Sequence, residues 1–153
     1  MGYIEDIRNL VGHRPLILVG AVAVIVDDEG RVLLQERTYP QGVWGLPGGL
    51  MELGESTEDV AKREVLEETG LTIDELKLIN VYSGPDHFTV AANGDEFYVV
   101  TAAYWTKNVK GTMEMDLSES TKLQYFHEDE FPGEMVGSHR TILKEYFTSN
   151  DRK

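Results

Sequence analysis

The sequence predicts an α/β domain in which helices cover a mixed β-sheet. Three observations lead there. The run LILVGAVAVIVDD (16–28) is too rich in β-branched residues for a good helix. The segment STEDVAKREVLEETG (56–70) carries strong helix start and stop signals. Strand-like segments follow it, and a helical pattern closes the chain as another opens it. No repeat, low-complexity tract or linker divides the 153 residues, so residues 1–153 read as a single domain.

Each element has its own physical reason. In YIEDIRNLVG (3–12), Ile4, Ile7, Leu10 and Val11 share one helical face and Gly12 stops the helix. Residues 16–28 form a buried strand, DDEG (27–30) a turn, and RVLLQER (31–37) a second strand, so the expectation is a hairpin. TYPQGVWGLPGG (38–49) holds too much Gly and Pro to be anything but a loop. The helix after it has Ser56 as N-cap, Glu58 and Asp59 in its first turn and Gly70 as its C-terminal stop. LKLINVYSG (76–84) is a strand, and HFTVAANGDEFYVVTAAYW (87–105) a hairpin with Asn93-Gly94 at its tip. KLQYFHEDE (122–130) is a short strand and turn. SHRTILKEYFTS (138–149) is a helix with Ile142, Leu143, Tyr146 and Phe147 turned inward.

Composition narrows the function classes. Apolar residues make up 41% and charged residues 27%, the balance of a globular protein. A net charge of −13 argues against binding long nucleic acid or an anionic membrane. It leaves room for a small anionic substrate, because a bound divalent cation reverses the local field. The absence of cysteine excludes disulfides, thiolate catalysis and zinc–thiolate sites. No signal peptide or membrane span is evident, so the expected location is cytoplasmic.

The chemistry concentrates in GLMELGESTEDVAKREVLEETGL (49–71), where seven carboxylates fall within twenty-three positions. Glu64, Glu67 and Glu68 cover only about 100° of the helix circumference, an arrangement that opposes folding unless something relieves it. Ala61 and Val65 occupy the adjacent arc, which sets the acids at the edge of the buried face. Converging oxygen ligands without His or Cys suit Mg²⁺ or Mn²⁺. Gly48 and Gly49 bring bare backbone close to a ligand, and Glu52 and Glu55 stand on the approach to the helix. Arg63 lies four residues before Glu67, at the spacing for holding that carboxylate. A solvated acidic face is the plainer alternative.

The segment resembles the signature of the Nudix hydrolases at each of its defined positions. These are Gly49, Glu55, Arg63, Glu64, Val65, Glu67, Glu68, Gly70 and Leu71, with WGLPGG (44–49) before them. The resemblance implies an α/β/α sandwich and a metal-dependent hydrolase of the MutT type, cleaving a nucleoside diphosphate linked to another group X. It implies that Glu64, Glu67 and Glu68 are catalytic metal ligands, joined by the Gly48 or Gly49 carbonyl, with Mg²⁺ or Mn²⁺ as cofactor. Glu64 is the carboxylate most often proposed as base in the family. Glu52, Glu55 and Arg63 would support the site, as would Glu119, with Glu114 and Asp116 its rivals. Arg37 resembles a substrate-contacting arginine of relatives, and Tyr39 and Phe88 are candidates for stacking on a base. Trp44 reads as structural, and of the histidines only His87 invites attention.

The substrate is less legible. Pro85 lies fourteen residues past Leu71, one short of the spacing common in ADP-ribose hydrolases. His87, Phe88 and Thr89 disfavour a dinucleoside-polyphosphate hydrolase. The leading reading is a hydrolase of a small-molecule nucleotide, either a nucleoside triphosphate or a nucleotide sugar such as ADP-ribose. Hydrolysis of RNA 5′ ends and a non-catalytic regulatory module are the alternatives. Many members of the family are homodimers, and the apolar faces of the first and last helices extend that option to this chain.

Overall fold

The computed structural model describes residues 2–114 and 120–149. Helix α1 spans Tyr3–Val11, α2 Thr57–Thr69 and α3 Gly137–Thr148. The strands are β1 (Leu16–Ile25), β2 (Val32–Arg37), β3 (Trp44–Gly45), β4 (Gly48–Leu50), β5 (Thr72–Ile73), β6 (Lys77–Tyr82), β7 (Phe88–Val90), β8 (Glu96–Thr106), β9 (Val109–Lys110) and β10 (Ser120–Phe126). The main sheet runs β4-β1-β8-β6, with β7 also on β8. A second sheet runs β10-β2-β3, and β5 pairs β9. The main sheet is mixed, because β1 and β8 are parallel while β4, β6 and β7 join antiparallel.

The alternation of β1 builds the layers. Val22, Val24 and Val26 face the cluster that holds Ile142, Leu143 and Tyr146 of α3. Ala21, Ala23 and Ile25 face the other way, toward clusters that hold Val60, Ala61 and Val65 of α2. One strand therefore contributes to both cores through its period of two. This is the expected α/β architecture, with α2 and α3 on opposite faces.

The expected hairpin of β1 and β2 does not form. Asp27 closes the predicted turn by accepting the N–H groups of Glu29 and Arg31, but beyond it β1 and β2 share only the bridge Val26–Val32. Both edges of β1 are occupied, by β4 and β8, so β2 pairs with β10 and β3 in the second sheet. The hairpin of β7 and β8 does form, turning through Gly94 at a φ of 92°.

Helix α1 ends at Gly12 as expected, but none of its residues is buried, and Leu10 is exposed. Polar contacts tie it down. Arg8 donates to the carbonyls of Gly12, Arg14 and Glu96 and so fastens the helix end to β8. No helix among the described residues is long and apolar enough to cross a membrane.

Candidate active site

Helix α2 is placed by its ends. Ser56 accepts from the N–H of Asp59, and the Asp59 carboxylate accepts from the N–H of Ser56, each at 3.0 Å. At the other end Gly70 takes the left-handed conformation and donates to the Leu66 carbonyl at 3.0 Å. Between these caps Val60, Ala61, Val65 and Glu68 form one buried side. A carboxylate thus stands in the apolar stripe, with Glu68 only 1% exposed.

Glu68 is satisfied on one oxygen. Its Oε1 accepts from Gln35 Nε2 at 2.6 Å and from the Gly48 N–H at 3.2 Å. Glu64 stands within hydrogen-bonding reach of the same carboxylate. Burial pushes the Glu68 carboxyl up to about 9, and the Glu64 carboxylate pushes in the same direction. The opposing Gln35 and Gly48 bonds do not offset this.

Glu64 rests on Gly49, where any Cβ would fall on its carboxylate. Its Oε1 accepts from Arg63 Nη1 at 2.6 Å. Arg63 also donates to Glu55 at 2.6 and 2.9 Å and to the Leu50 carbonyl at 3.1 Å. The Glu55 bond, with Glu64 adding to it, raises the guanidinium above its ordinary value and lowers the Glu55 carboxyl. The expected partnership of Arg63 with Glu67 is looser, at 3.5 Å, and Glu67 is 54% exposed. The loop before α2 brings Glu55 to the arginine first.

Glu52 stands behind Glu55. Its carboxylate accepts the Tyr3 N–H at 3.0 Å at the start of α1, while its own N–H donates to Glu55 Oε1 at 2.9 Å. It therefore couples α1 to the approach loop.

Above the acids lies a cavity of about 670 Å³. Gln35, Gly48, Gly49 and Glu68 are on its wall, as are Arg37 and Tyr39. Phe88 is not among its lining residues and instead packs on Tyr98, ring centroids 5.1 Å apart. Its neighbours Thr89 and Val90 line the cavity instead. Trp44 is buried edge-on against Phe126, a structural role as expected. His87 is half-buried beside Tyr82 and does not line the cavity. Glu114 is exposed, its N–H bonded to the Thr69 carbonyl, whereas Glu119 and Asp116 lie outside the described residues.

Two residues of the site gave no sequence signal. Gln35 sits in the apolar run of β2 and looks like core. His139 lines the cavity from α3 and accepts the Leu46 N–H at 2.9 Å through Nδ1. Only its fixed position against WGLPGG, set by the fold, reveals that contact.

A divalent cation fits the donor set. Glu64 and Glu68 supply adjacent carboxylate oxygens, and a hard hydrated cation needs one or two such groups when substrate phosphates complete its shell. Among the described residues no three acidic, His or Cys groups are gathered closely enough to hold an ion unaided. The expected trio is thus present as a pair plus Glu67 on the solvent side.

The chain is similar to known proteins over most of its length. A family model described as the NUDIX domain matches residues 17–146. An ADP-ribose pyrophosphatase of Methanocaldococcus jannaschii is 30% identical over 143 residues, covering 91% of this chain and 79% of that protein. A MutT-like protein of Streptomyces ambofaciens is 34% identical over 122 residues, covering 80% of this chain and 71% of its own. Among solved structures, the MutT NUDIX hydrolase from Burkholderia pseudomallei matches with a TM-score of 0.73 and 31% identity, over 85% of this chain and 98% of that one.

Proposed function

This chain belongs to the Nudix hydrolases, enzymes acting on phosphoric anhydrides, and we propose that it cleaves the diphosphate of a small nucleotide with the help of a divalent cation. The substrate is a nucleoside diphosphate linked to a second group, with ADP-ribose the first candidate. The observation that carries this reading is the meeting of Glu64 and Glu68 at the bare backbone of Gly48 and Gly49. The cavity beside them, about 670 Å³, has the size of small-molecule sites. The ADP-ribose pyrophosphatase of Methanocaldococcus jannaschii, similar over most of the chain, supports the choice of substrate.

The residues divide the work. Glu64 and Glu68 would hold Mg²⁺ or Mn²⁺, with the Gly48 or Gly49 carbonyl and Glu67 as further oxygen donors. When bound, the ion neutralises charge on the phosphoryl oxygens and makes water a better nucleophile. Arg63 fixes Glu64, and Glu55 fixes Arg63, so the carboxylate keeps its orientation as substrate arrives. Glu64 is the assigned proton acceptor. Arg37, a cation on the cavity wall of a protein with a net charge of −13, binds a phosphate of the substrate. Tyr39 on the same wall offers an aromatic face to the base.

The test is incubation with Mg²⁺ or Mn²⁺ and a panel of ADP-ribose, other nucleotide sugars, nucleoside triphosphates and triphosphorylated RNA, with products resolved by mass. AMP and ribose 5-phosphate from ADP-ribose, absent with Glu68→Gln, are the expected result. Cleavage confined to triphosphates would move the substrate to that class. Absence of any metal-dependent cleavage would sink the proposal and favour a regulatory module.

A further inference from the structure

The amide of Gln35 is oriented at a cost to itself. The residue is 6% exposed on β2, among the fully buried Val32, Leu33 and Leu34. Its Nε2 donates to Glu68 Oε1 at 2.6 Å. Its carbonyl, Oε1, is buried with no hydrogen-bond partner among the described residues. A buried acceptor left unpaired costs about 1–3 kcal/mol, and an apolar side chain like those preceding it would avoid that cost. The core therefore does not account for a glutamine here.

What the amide accomplishes is seen at Glu68. Its N–H and that of Gly48 both end on Oε1 of the carboxylate. Two donors on one oxygen hold the carboxylate plane, and neither of these two bonds uses Oε2. With Glu68 only 1% exposed, these two donors bear directly on its orientation. One of them is backbone; the other is Gln35.

We propose that Gln35 is a positioning residue of the cation site, acting through Glu68 to present one carboxylate oxygen to a divalent ion. The inference rests on the functional reading above, in which Glu68 is a ligand. In this reading Gln35 acts on the ion through Glu68 and is not itself a ligand. Partners of this kind, which orient a ligand from behind, typically change metal affinity by about 10–100-fold when removed.

The experiment titrates Mn²⁺ into the substrate-free protein by calorimetry and by the loss of its free-ion paramagnetic signal. The unchanged protein is compared with Gln35→Met, which keeps the length and removes both polar ends. Gln35→Leu, a residue type already present at 33 and 34, serves as a second apolar variant should the first fold poorly. The expected result is a dissociation constant raised about 10–100-fold, with metal-free melting temperature shifted by only a few degrees. An unchanged dissociation constant, with or without a fall in melting temperature, would show a merely structural glutamine and overturn the proposal. Failure of the unchanged protein to bind Mn²⁺ would overturn the functional reading as well, and so is told apart from failure of Gln35 alone.

Discussion

His139 of the last helix accepts the backbone N–H of Leu46 at 2.9 Å, a bond between residues 93 positions apart. It anchors the WGLPGG segment to α3, and that segment delivers Gly48 and Gly49 to the acids. Because Nδ1 accepts, the ring is neutral with its proton on Nε2. Burial, and next the charge of Arg37, lower the imidazole to about 3.

The sign of the pH effect follows. Above about 6.5 the imidazole is neutral in both the folded and unfolded chain, and its contribution to stability is complete. Between about 6.5 and 3 the unfolded chain takes up the proton more readily, so stability falls as pH falls. The limit is about 1.4 kcal/mol per pH unit, or roughly 2 kcal/mol at pH 5. His139→Gln keeps an acceptor for Leu46 but cannot be protonated, so it should lose less stability between pH 7 and 5 than the unchanged protein. Urea unfolding at both pH values measures the difference, and equal losses would contradict the assignment.

The adjacent glycines should fail in different ways. A Cβ at Gly48 would fall on the Ala21 carbonyl and on Val22, where backbone cannot yield. Gly48→Ala should therefore destabilise the fold by several kcal/mol, at or above the usual ~1–3 kcal/mol of overpacking. At Gly49 the Cβ would meet the Glu64 carboxylate, a side-chain end that can move. Gly49→Ala should fold and lose activity. Thermal melts alongside turnover separate the two, and an active Gly49→Ala protein would mean that Glu64 need not lie where it does.

Local chemistry explains what the sequence made legible. Ser56, Asp59 and Gly70 act on their own helix, so its bounds could be read directly, and the spacing of Glu64 and Glu68 placed both acids together. The β1–β2 hairpin was misread because its turn is local and genuine, whereas the partners of β1 are not. The parallel register from Leu16–Phe97 to Ile25–Thr106 depends on residues some eighty positions away. Arg63 was paired with Glu67 by helical spacing, although Glu55, from the preceding loop, reaches it more closely. Gln35 and His139 stayed hidden because one resembles core sequence and the other gains its meaning only when α3 folds against Leu46.

The chain Glu55–Arg63–Glu64 predicts coupled losses. Lysine at position 63 keeps the charge but cannot donate at once to Glu55, Glu64 and the Leu50 carbonyl. Arg63→Lys should lower kcat about 10–100-fold with little change in melting temperature. Glu55→Gln should act in the same direction, and the double variant should lose less than the product of the two, because both act on Glu64. Steady-state kinetics on the substrate that the panel identifies tests this. Independent effects would dissolve the chain.

Glu67 and Glu68 should be unlike as structural residues and alike as functional ones. Glu67 is half-exposed, so Glu67→Gln should leave the metal-free melting temperature nearly unchanged. Glu68 is buried beside Glu64, and its charged form is disfavoured there. In Glu68→Gln the amide oxygen can still accept from Gln35 and Gly48, while its nitrogen can donate to Glu64. The metal-free variant should therefore be more stable, by about 1 kcal/mol or more, because a neutral amide replaces a carboxyl whose ionisation is penalised. With saturating Mg²⁺ the order should reverse, since the unchanged protein gains RT ln(1 + [Mg²⁺]/Kd) and the Glu68 variant gains little. Both variants should lose most turnover. Melting curves with and without Mg²⁺ decide it: equal stabilisation of the unchanged protein and Glu68→Gln would remove Glu68 from the metal site, whatever happened to activity.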